Sequence, residues 1–155
     1  QKTFGVSCEP VDVAKICDST LQSLQFAQSK SKQVQLQNEL PDGFTINSDA
    51  RRIQQILTHL LFYGVQFASG DELLLSAKLN AGALELAVVD PNSSMSGMKE
   101  LPVYVKNTLY DTDVDDLGVR IELCRRMARL LGGCIYIDTQ SKDGVRIVLQ
   151  IQNIL

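Results

Sequence analysis

The chain has 155 residues, which suits one compact domain with a single hydrophobic core. Hydrophobic residues make up 45% and charged residues 21%, the composition of an ordinary globular protein, and no apolar run is long enough to span a bilayer. The formal net charge of -3 lacks the basic excess of a nucleic-acid-binding surface. We therefore expect no nucleic-acid partner, no membrane contact by this chain and a cytoplasmic location, which leaves open membrane anchoring elsewhere in the parent protein.

Hydrophobic spacing predicts a helix over residues 12–30 and a strand over 34–37. The turn signal at 41–43 is followed by a second, short strand over 44–47. Ser48 and Asp49 offer N-cap side chains to a strong helix over 50–67, which shows an apolar face at helical spacing. The first half of the chain therefore reads as helix, two strands and helix.

Two strands are predicted over 71–80 and 84–89, joined by a tight turn at 81–82. Residues 90–116 show no hydrophobic periodicity, so we predict a long loop over about 91–116. Loops of this length are usually functional or mobile. A third helix is predicted over 117–131 because the glycine pair at 132–133 ends it in the manner of a C-cap. A closing hairpin follows, with strands over 134–139 and 145–154.

This order of elements is not the strict alternation of a doubly wound parallel sheet. Grouped hairpins with three helices favour an α/β fold of two layers, a sandwich in which one mixed sheet carries three helices on one face. No repeat or low-complexity linker divides the chain, so we predict a single domain over 1–155.

The cysteines and the one histidine do not form a metal-site pattern. None of the four cysteines belongs to a CxxC pair, and His59 is the only histidine, so we predict no metal-ligand cluster of the zinc type. Three of the cysteines lie among apolar residues of predicted helices or strands. We interpret them as small buried thiols in a reducing compartment.

Several segments together resemble sensor histidine kinases of two-component systems. Residues 9–13 (EPVDV) resemble the segment after the dimerisation helices, and residues 40–43 (LPDG) and 49–57 (DARRIQQIL) resemble the lead into the N box. Residues 117–119 (LGV) and 130–133 (LLGG) resemble the last glycine box and the turn after its helix. The resemblance runs from about residue 9 to the end, and the order and spacing of the motifs make it fairly specific.

The resemblance implies the Bergerat (GHKL) ATPase fold, with ATP and Mg²⁺ as cofactors held between the second helix, the third helix and a mobile lid. It also implies transfer of the γ-phosphate to a histidine on a separate dimerisation domain and then to an aspartate of a response regulator. The implied partners are the dimerisation and phosphoacceptor helices of the parent chain and a response regulator, with a homodimeric parent.

Around the adenine base and the metal, the resemblance implies a pocket in which some of the family's residues are kept and others are replaced. Asp90 takes the position of the aspartate that accepts a hydrogen bond from the adenine amino group, which suits an acceptor-only carboxylate. His59, Tyr63 and Gln66 take the positions of the two N-box asparagines and the following lysine. A phenol is a poor substitute for the hard oxygen ligand that Mg²⁺ prefers, and Gln66 removes a positive charge.

On the phosphate side the glycine boxes are altered as well. Asn92 and Ser94 replace the two glycines of the first box, and the second box (114–118, VDDLG) keeps only Gly118. Asp115 and Asp116 lie where the family binds phosphates at a helix N-terminus. One like-charge contact at about 4 Å and an effective dielectric of about 20 costs about 4 kcal/mol, so these acids should repel a triphosphate.

Three functions stay open from the sequence. The first is a histidine-kinase-like domain with weak or lost Mg-ATP binding, a pseudokinase-like regulatory module. The second is an active kinase domain that uses atypical phosphate contacts, with Arg120 or Lys106 reaching the phosphates. The third is a domain that binds a different, less charged small molecule in the same cleft. We assign no catalytic residue, because His59 is mid-helix in the pocket and not on an acceptor helix.

Overall fold

The computed structural model describes residues 7–27, 33–67, 72–91, 112–138 and 144–152, and within them the backbone alone for 25–27, 66–67 and 112–120. The elements follow in the order β1 (Glu9–Asp12), α1 (Val13–Ala27), β2 (Gln33–Asn38), β3 (Thr45–Ser48), α2 (Ala50–Phe67), β4 (Glu72–Asn80), β5 (Ala83–Asp90), α3 (Thr112–Leu130), β6 (Gly133–Asp138) and β7 (Val145–Ile151).

The main sheet has five strands in the order β2-β4-β5-β7-β6. Strand β2 pairs with β4 in parallel, and the remaining neighbours pair antiparallel, so the sheet is mixed. Alternate residues of each strand point to opposite faces, and one face carries the apolar side chains that pack on the helices. The predicted two-layer sandwich with three helices on one face of a mixed sheet is confirmed.

A second, two-stranded sheet was not predicted. Strand β1 pairs antiparallel with β3, from Glu9 opposite Ser48 to Asp12 opposite Thr45. Asp12 ends this strand and also begins α1, because its Oδ1 accepts a hydrogen bond from the Lys15 N–H at 3.2 Å. The strand predicted over 44–47 therefore exists, but it belongs to the small sheet.

Helix α3 begins at Thr112, five residues before the start at 117 that the sequence suggested. The physical reason is that Asp residues in the first turns of a helix interact favourably with its dipole, so the DVDD segment can continue the helix instead of preceding it. The predicted lid loop over about 91–116 stays a prediction for 92–111, which lie outside the described residues.

The interpretation of three cysteines as buried thiols holds for two of them. All four cysteines are free; Cys17 and Cys124 are buried, whereas Cys8 and Cys134 are exposed. Burial raises the pKa of the Cys17 and Cys124 thiols to about 12, with Asp18 contributing at Cys17, so both stay protonated. Among the described residues, no helix is long and apolar enough to cross a membrane.

Candidate functional site

The start of helix α2 is fixed by a buried carboxylate. Asp49, which is 5% exposed, accepts the Arg52 N–H through Oδ1 at 3.2 Å and the Ser7 N–H through Oδ2 at 2.9 Å. Asp49 is thus the N-cap that the sequence predicted, and it ties the helix to the segment before β1. Because the helix begins at a defined residue, the positions predicted to match the N box, from His59 to Gln66, fall in its C-terminal half.

Tyr63 lies in the interior of the protein. Its side chain is 0% exposed, and burial raises the pKa of its phenol to about 12. The hydroxyl therefore remains neutral at every physiological pH. The residue predicted to match the second N-box asparagine is therefore a neutral aromatic side chain within the core.

Gly64 explains how α2 can approach the sheet this closely. A Cβ at this position would lie 2.8 Å from Val88 Cγ1 of β5 and 3.4 Å from Leu73 Cδ1 of β4. A helical glycine costs about 1 kcal/mol relative to alanine, and the close approach supplies a reason to keep it. The sequence offered this signal, since an isolated glycine inside a helical pattern often marks close packing.

Asp90 ends the central strand β5 and is 0% exposed. It lies opposite Val145 in the register with β7. The residue before Val145 is Gly144, with a φ of +118°, and a Cβ there would clash with the Asp90 carbonyl oxygen. The end of β5 is therefore held by a close backbone contact that only glycine allows.

His59 lies one helical turn before Tyr63 and is half-buried. It borders an open groove of about 340 Å³ between α1 and α2, and the groove is lined entirely by polar side chains: Ser23, Arg51, Gln54, Gln55, Thr58 and His59. His59 thus contributes to a surface shared with α1, whereas Tyr63 turns into the core.

The remaining predicted site residues are described in part or not at all. Asp115, Asp116 and Gly118 lie within the backbone of α3, and Gln66 lies within that of α2. Asn92 and Ser94 lie outside the described residues. What the structure brings together is α2 with β5, and so the helix of His59 and Tyr63 with the strand that ends at Asp90.

A second polar cluster, on the sheet face away from the helices, was missed by the sequence analysis. Arg146 binds Asp138 Oδ2 through Nη2 at 2.8 Å and Nε at 3.1 Å, and its Nη1 lies 3.5 Å from Glu85 Oε1. Asn80 Nδ2 donates to Glu85 Oε2 at 3.0 Å. Burial lowers the pKa of Arg146, but the hydrogen bond and charge of Asp138 and the charge of Glu85 outweigh it and raise that pKa.

Comparison with known proteins gives relatives of one kind. No family model matches the chain. It is 22% identical over 149 residues to the adaptive-response sensory kinase SasA of Thermosynechococcus vestitus, covering 93% of this chain and 39% of that protein. It is 23% identical over 134 residues to the sensor protein TorS of Escherichia coli, covering 85% of this chain and 15% of that protein. This chain therefore spans well under half the length of these relatives.

Solved structures share the fold at low identity. The histidine kinase AdeS of Acinetobacter baumannii matches with a TM-score of 0.65 and 17% identity, covering 95% of this chain and 68% of that one. The ATP-binding domain of PrrB from Mycobacterium tuberculosis matches with a TM-score of 0.66 and 17% identity, covering 94% and 96%. ShkA in complex with AMPPNP gives a TM-score of 0.72 and 18% identity, covering 94% and 31%.

The relatives are sensor histidine kinases, and the structural neighbours include ATP-binding and catalytic domains of histidine kinases. The fold of this chain is the GHKL sandwich of those domains.

Proposed function

We propose that this chain, which has the fold of histidine kinase ATP-binding domains, serves a sensor kinase as a pseudokinase-like regulatory module with weak or lost Mg-ATP binding. The observation that carries the proposal is Tyr63, which is fully buried and whose phenol keeps its proton up to a pKa of about 12. By resemblance, this is the position that supplies the magnesium ligand.

The metal side of the pocket fits Mg²⁺ poorly. Mg²⁺ requires oxygen ligands at about 2.0–2.1 Å in octahedral geometry and gives up its water reluctantly. A neutral phenol offers no negative charge to offset that cost.

The phosphate side supports the same conclusion through charge. Asp115 and Asp116 are the fourth and fifth residues of α3, and by resemblance this part of the fold faces the phosphates. Gln66 stands where the family has a lysine. One repulsive contact at about 4 Å costs about 4 kcal/mol at an effective dielectric of about 20, and Mg²⁺ is the ion that would normally offset it.

On the adenine side of the pocket the carboxylate of Asp90 is kept, but solvent and ligands do not reach it. Asp90 remains the residue type that accepts a hydrogen bond from an adenine amino group, yet its side chain is 0% exposed. Adenine would have to displace the groups that pack on Asp90. We therefore attribute the weak or lost ATP binding mainly to poor metal and phosphate binding, and to a smaller extent to poor binding of the base.

The role proposed for the whole protein follows from the family and not from this chain alone, because the chain covers 39% or less of the relatives reported above. The partners would be the dimerisation and phosphoacceptor helices of a homodimeric, cytoplasmic or membrane-anchored parent and a response regulator. The domain would act by contact with those helices, and we assign it no catalytic residue.

Nucleotide titration tests the proposal. We expect no change in the free energy of unfolding at millimolar Mg-ATP, Mg-ADP or ATP with EDTA, whereas a ligand at 100 times its dissociation constant adds about 2.7 kcal/mol. Mg²⁺-dependent stabilisation of the unmodified chain would overturn the proposal in favour of an active kinase domain. Stabilisation only by uncharged compounds would favour the third function, a cleft for a different ligand.

A matched pair of variants tests whether Tyr63 is the cause of the weak or lost Mg-ATP binding. Tyr63→Asn combined with Gln66→Lys restores the ligand type and the charge, and we expect measurable Mg²⁺-dependent ATP binding by calorimetry. Tyr63→Phe combined with Gln66→Lys keeps the buried ring and restores the charge alone, so it should gain no metal dependence. Equal ATP binding by both variants would contradict the role given to Tyr63.

A further inference from the structure

Strand β2 forms one end of the main sheet, so only one of its two edges is paired. Its described partner is β4, with an unbroken parallel register from Gln33 opposite Glu72 to Asn38 opposite Ala77. In the described part of the chain, the other edge therefore presents backbone N–H and C=O groups that no strand of this sheet pairs. Such an edge can accept a strand from another chain.

The usual protections of an edge strand are absent from β2. Proteins commonly guard an edge with lysine, proline or a β-bulge. The sequence QVQLQN contains no charged residue and no proline, and the one-to-one register with β4 excludes a bulge in that pairing. Nothing in this strand opposes the addition of a further strand.

The two faces of β2 differ in a way that restricts its partner. Val34 and Leu36 are half-buried and pack against the core that the helices cover. Gln33, Gln35 and Gln37 are exposed on the opposite face. A strand that extends this sheet must place apolar side chains beside Val34 and Leu36 and polar side chains beside the glutamines.

We propose that β2 is a dimerisation edge, at which two copies of this chain pair β2 with β2 antiparallel to form a continuous ten-stranded sheet. A two-fold axis at Gln35 places Gln35 opposite its own copy, Val34 opposite Leu36 and Gln33 opposite Gln37. Directly opposed residues of an antiparallel pair share a face, so this register matches both faces of the strand.

A second copy suits this edge better than an unrelated peptide because β2 is complementary to itself. A glutamine amide carries both a donor and an acceptor, so identical glutamines can bond to one another across the axis. The absence of charge in β2 removes like-charge repulsion between copies. The two-fold axis also closes the assembly, since each copy uses the same edge and no further β2 edge remains.

Sedimentation velocity over a range of concentrations, with opposite-charge variants, tests the proposal. Gln35→Lys places two lysines opposite each other at the axis, and Gln35→Glu places two glutamates there. We expect either variant alone to raise the dimer dissociation constant at least about tenfold, which is about 1.4 kcal/mol. An equimolar mixture of the two should restore the dimer, because opposite charges then meet at the axis.

Gln55→Lys is the matched control, since it adds the same charge at an exposed position of α2 away from the edge. It should leave the dissociation constant unchanged. Hydrogen exchange should show amide protection in residues 33–38 that increases with protein concentration.

The proposal is overturned by an unmodified chain that stays monomeric up to about 1 mM, the concentration that matches a free energy of about −4 kcal/mol. It is equally overturned by dimers that are indifferent to Gln35→Lys, or by species that grow without limit, which would indicate open-ended strand addition. None of these outcomes depends on nucleotide binding.

Discussion

The two faces of strand β5 are both buried, but they hold their carboxylates in different surroundings. On the face away from the helices, Glu85 lies within a cluster that includes Asn80 and Arg146, so its negative charge has a fixed cation nearby. On the helix face, the strand runs through Leu86 and Val88 to Asp90, beside a helix that contributes Tyr63 and Gly64.

The outer cluster shows a structural use of charge. In the outer cluster, cation and carboxylates come from neighbouring strands of one sheet and compensate one another. On the inner face, the contact between α2 and β5 that is described above is the close packing of Gly64 on Val88. Breaking the outer cluster should therefore destabilise the fold.

Among the substitutions, the largest expected effect is that of removing the cation from the outer face. Arg146→Met should lower the free energy of unfolding by about 3 kcal/mol, because Glu85, which is 2% exposed, would lose its counter-ion. Urea denaturation measures the change. Gln150→Met, on the same strand and the same face, is the control and should change stability by about 0.5 kcal/mol or less. Equal losses of stability in the two variants would show that the Arg146 cation has no special role on the outer face.

Alkaline titration should reveal the protons held in the helix-covered layer. Cys17, Cys124 and Tyr63 have pKa values of about 12 in the folded state, against 9.0 for the thiols and 10.0 for the phenol when unperturbed. The unfolded chain releases these protons first, so this part of the stability is complete below about pH 9. It falls by about 1.4 kcal/mol per pH unit for each thiol between about pH 9 and pH 12, and by the same amount for the phenol between about pH 10 and pH 12.

The double variant Cys17→Ala and Cys124→Ala isolates the thiols in that titration. Between about pH 8 and pH 10.5 its stability should decline less steeply than that of the unmodified chain. The absolute stability of the variant at pH 8 is not the readout, because lost packing lowers it at every pH. Parallel declines would show that the buried thiols do not hold their protons as inferred.

The smallest expected effect concerns the seat of α2 on β5. Gly64→Ala gains about 1 kcal/mol of helix propensity but forces a Cβ to within 2.8 Å of Val88 Cγ1, so we expect a net loss of about 1 kcal/mol. In a Val88→Ala background the same change should become stabilising. If Gly64→Ala changes the free energy of unfolding in the same direction in both backgrounds, this contact does not limit how closely the helix approaches the sheet.

Helix α2 is the element that the sequence predicted best. Its bounds, Ala50–Phe67, agree with the predicted 50–67 because the helical apolar repeat and the Asp49 cap are both local signals. The start of α3 was placed too late, since acidic residues suit both the cap and the first turns of a helix. Strand β1 was missed because four residues are too few to show alternation, and its partner β3 lies beyond a whole helix.

For the candidate site, too, some features could be predicted from the sequence and others could not. The resemblance singled out Tyr63 and Asp90 as pocket positions from motif spacing, and that assignment stays a prediction. Their complete burial follows from the packing of α2 on β5 and of Gly144 on the end of β5, which no spacing rule expresses. The predictions for Asn92 and Ser94 stay predictions, since those residues lie outside the described part of the chain.

The sequence by itself determined the three helices, the strands of the main sheet and the layered fold, because hydrophobic periodicity, caps and turns act over a few residues. The tertiary structure alone decided which carboxylate meets a cation, which side chain fills the core and which strand is left at the edge of the sheet. Those outcomes depend on contacts between residues that are distant along the chain, and burial changes the energy of a charge or a proton only once such contacts have formed.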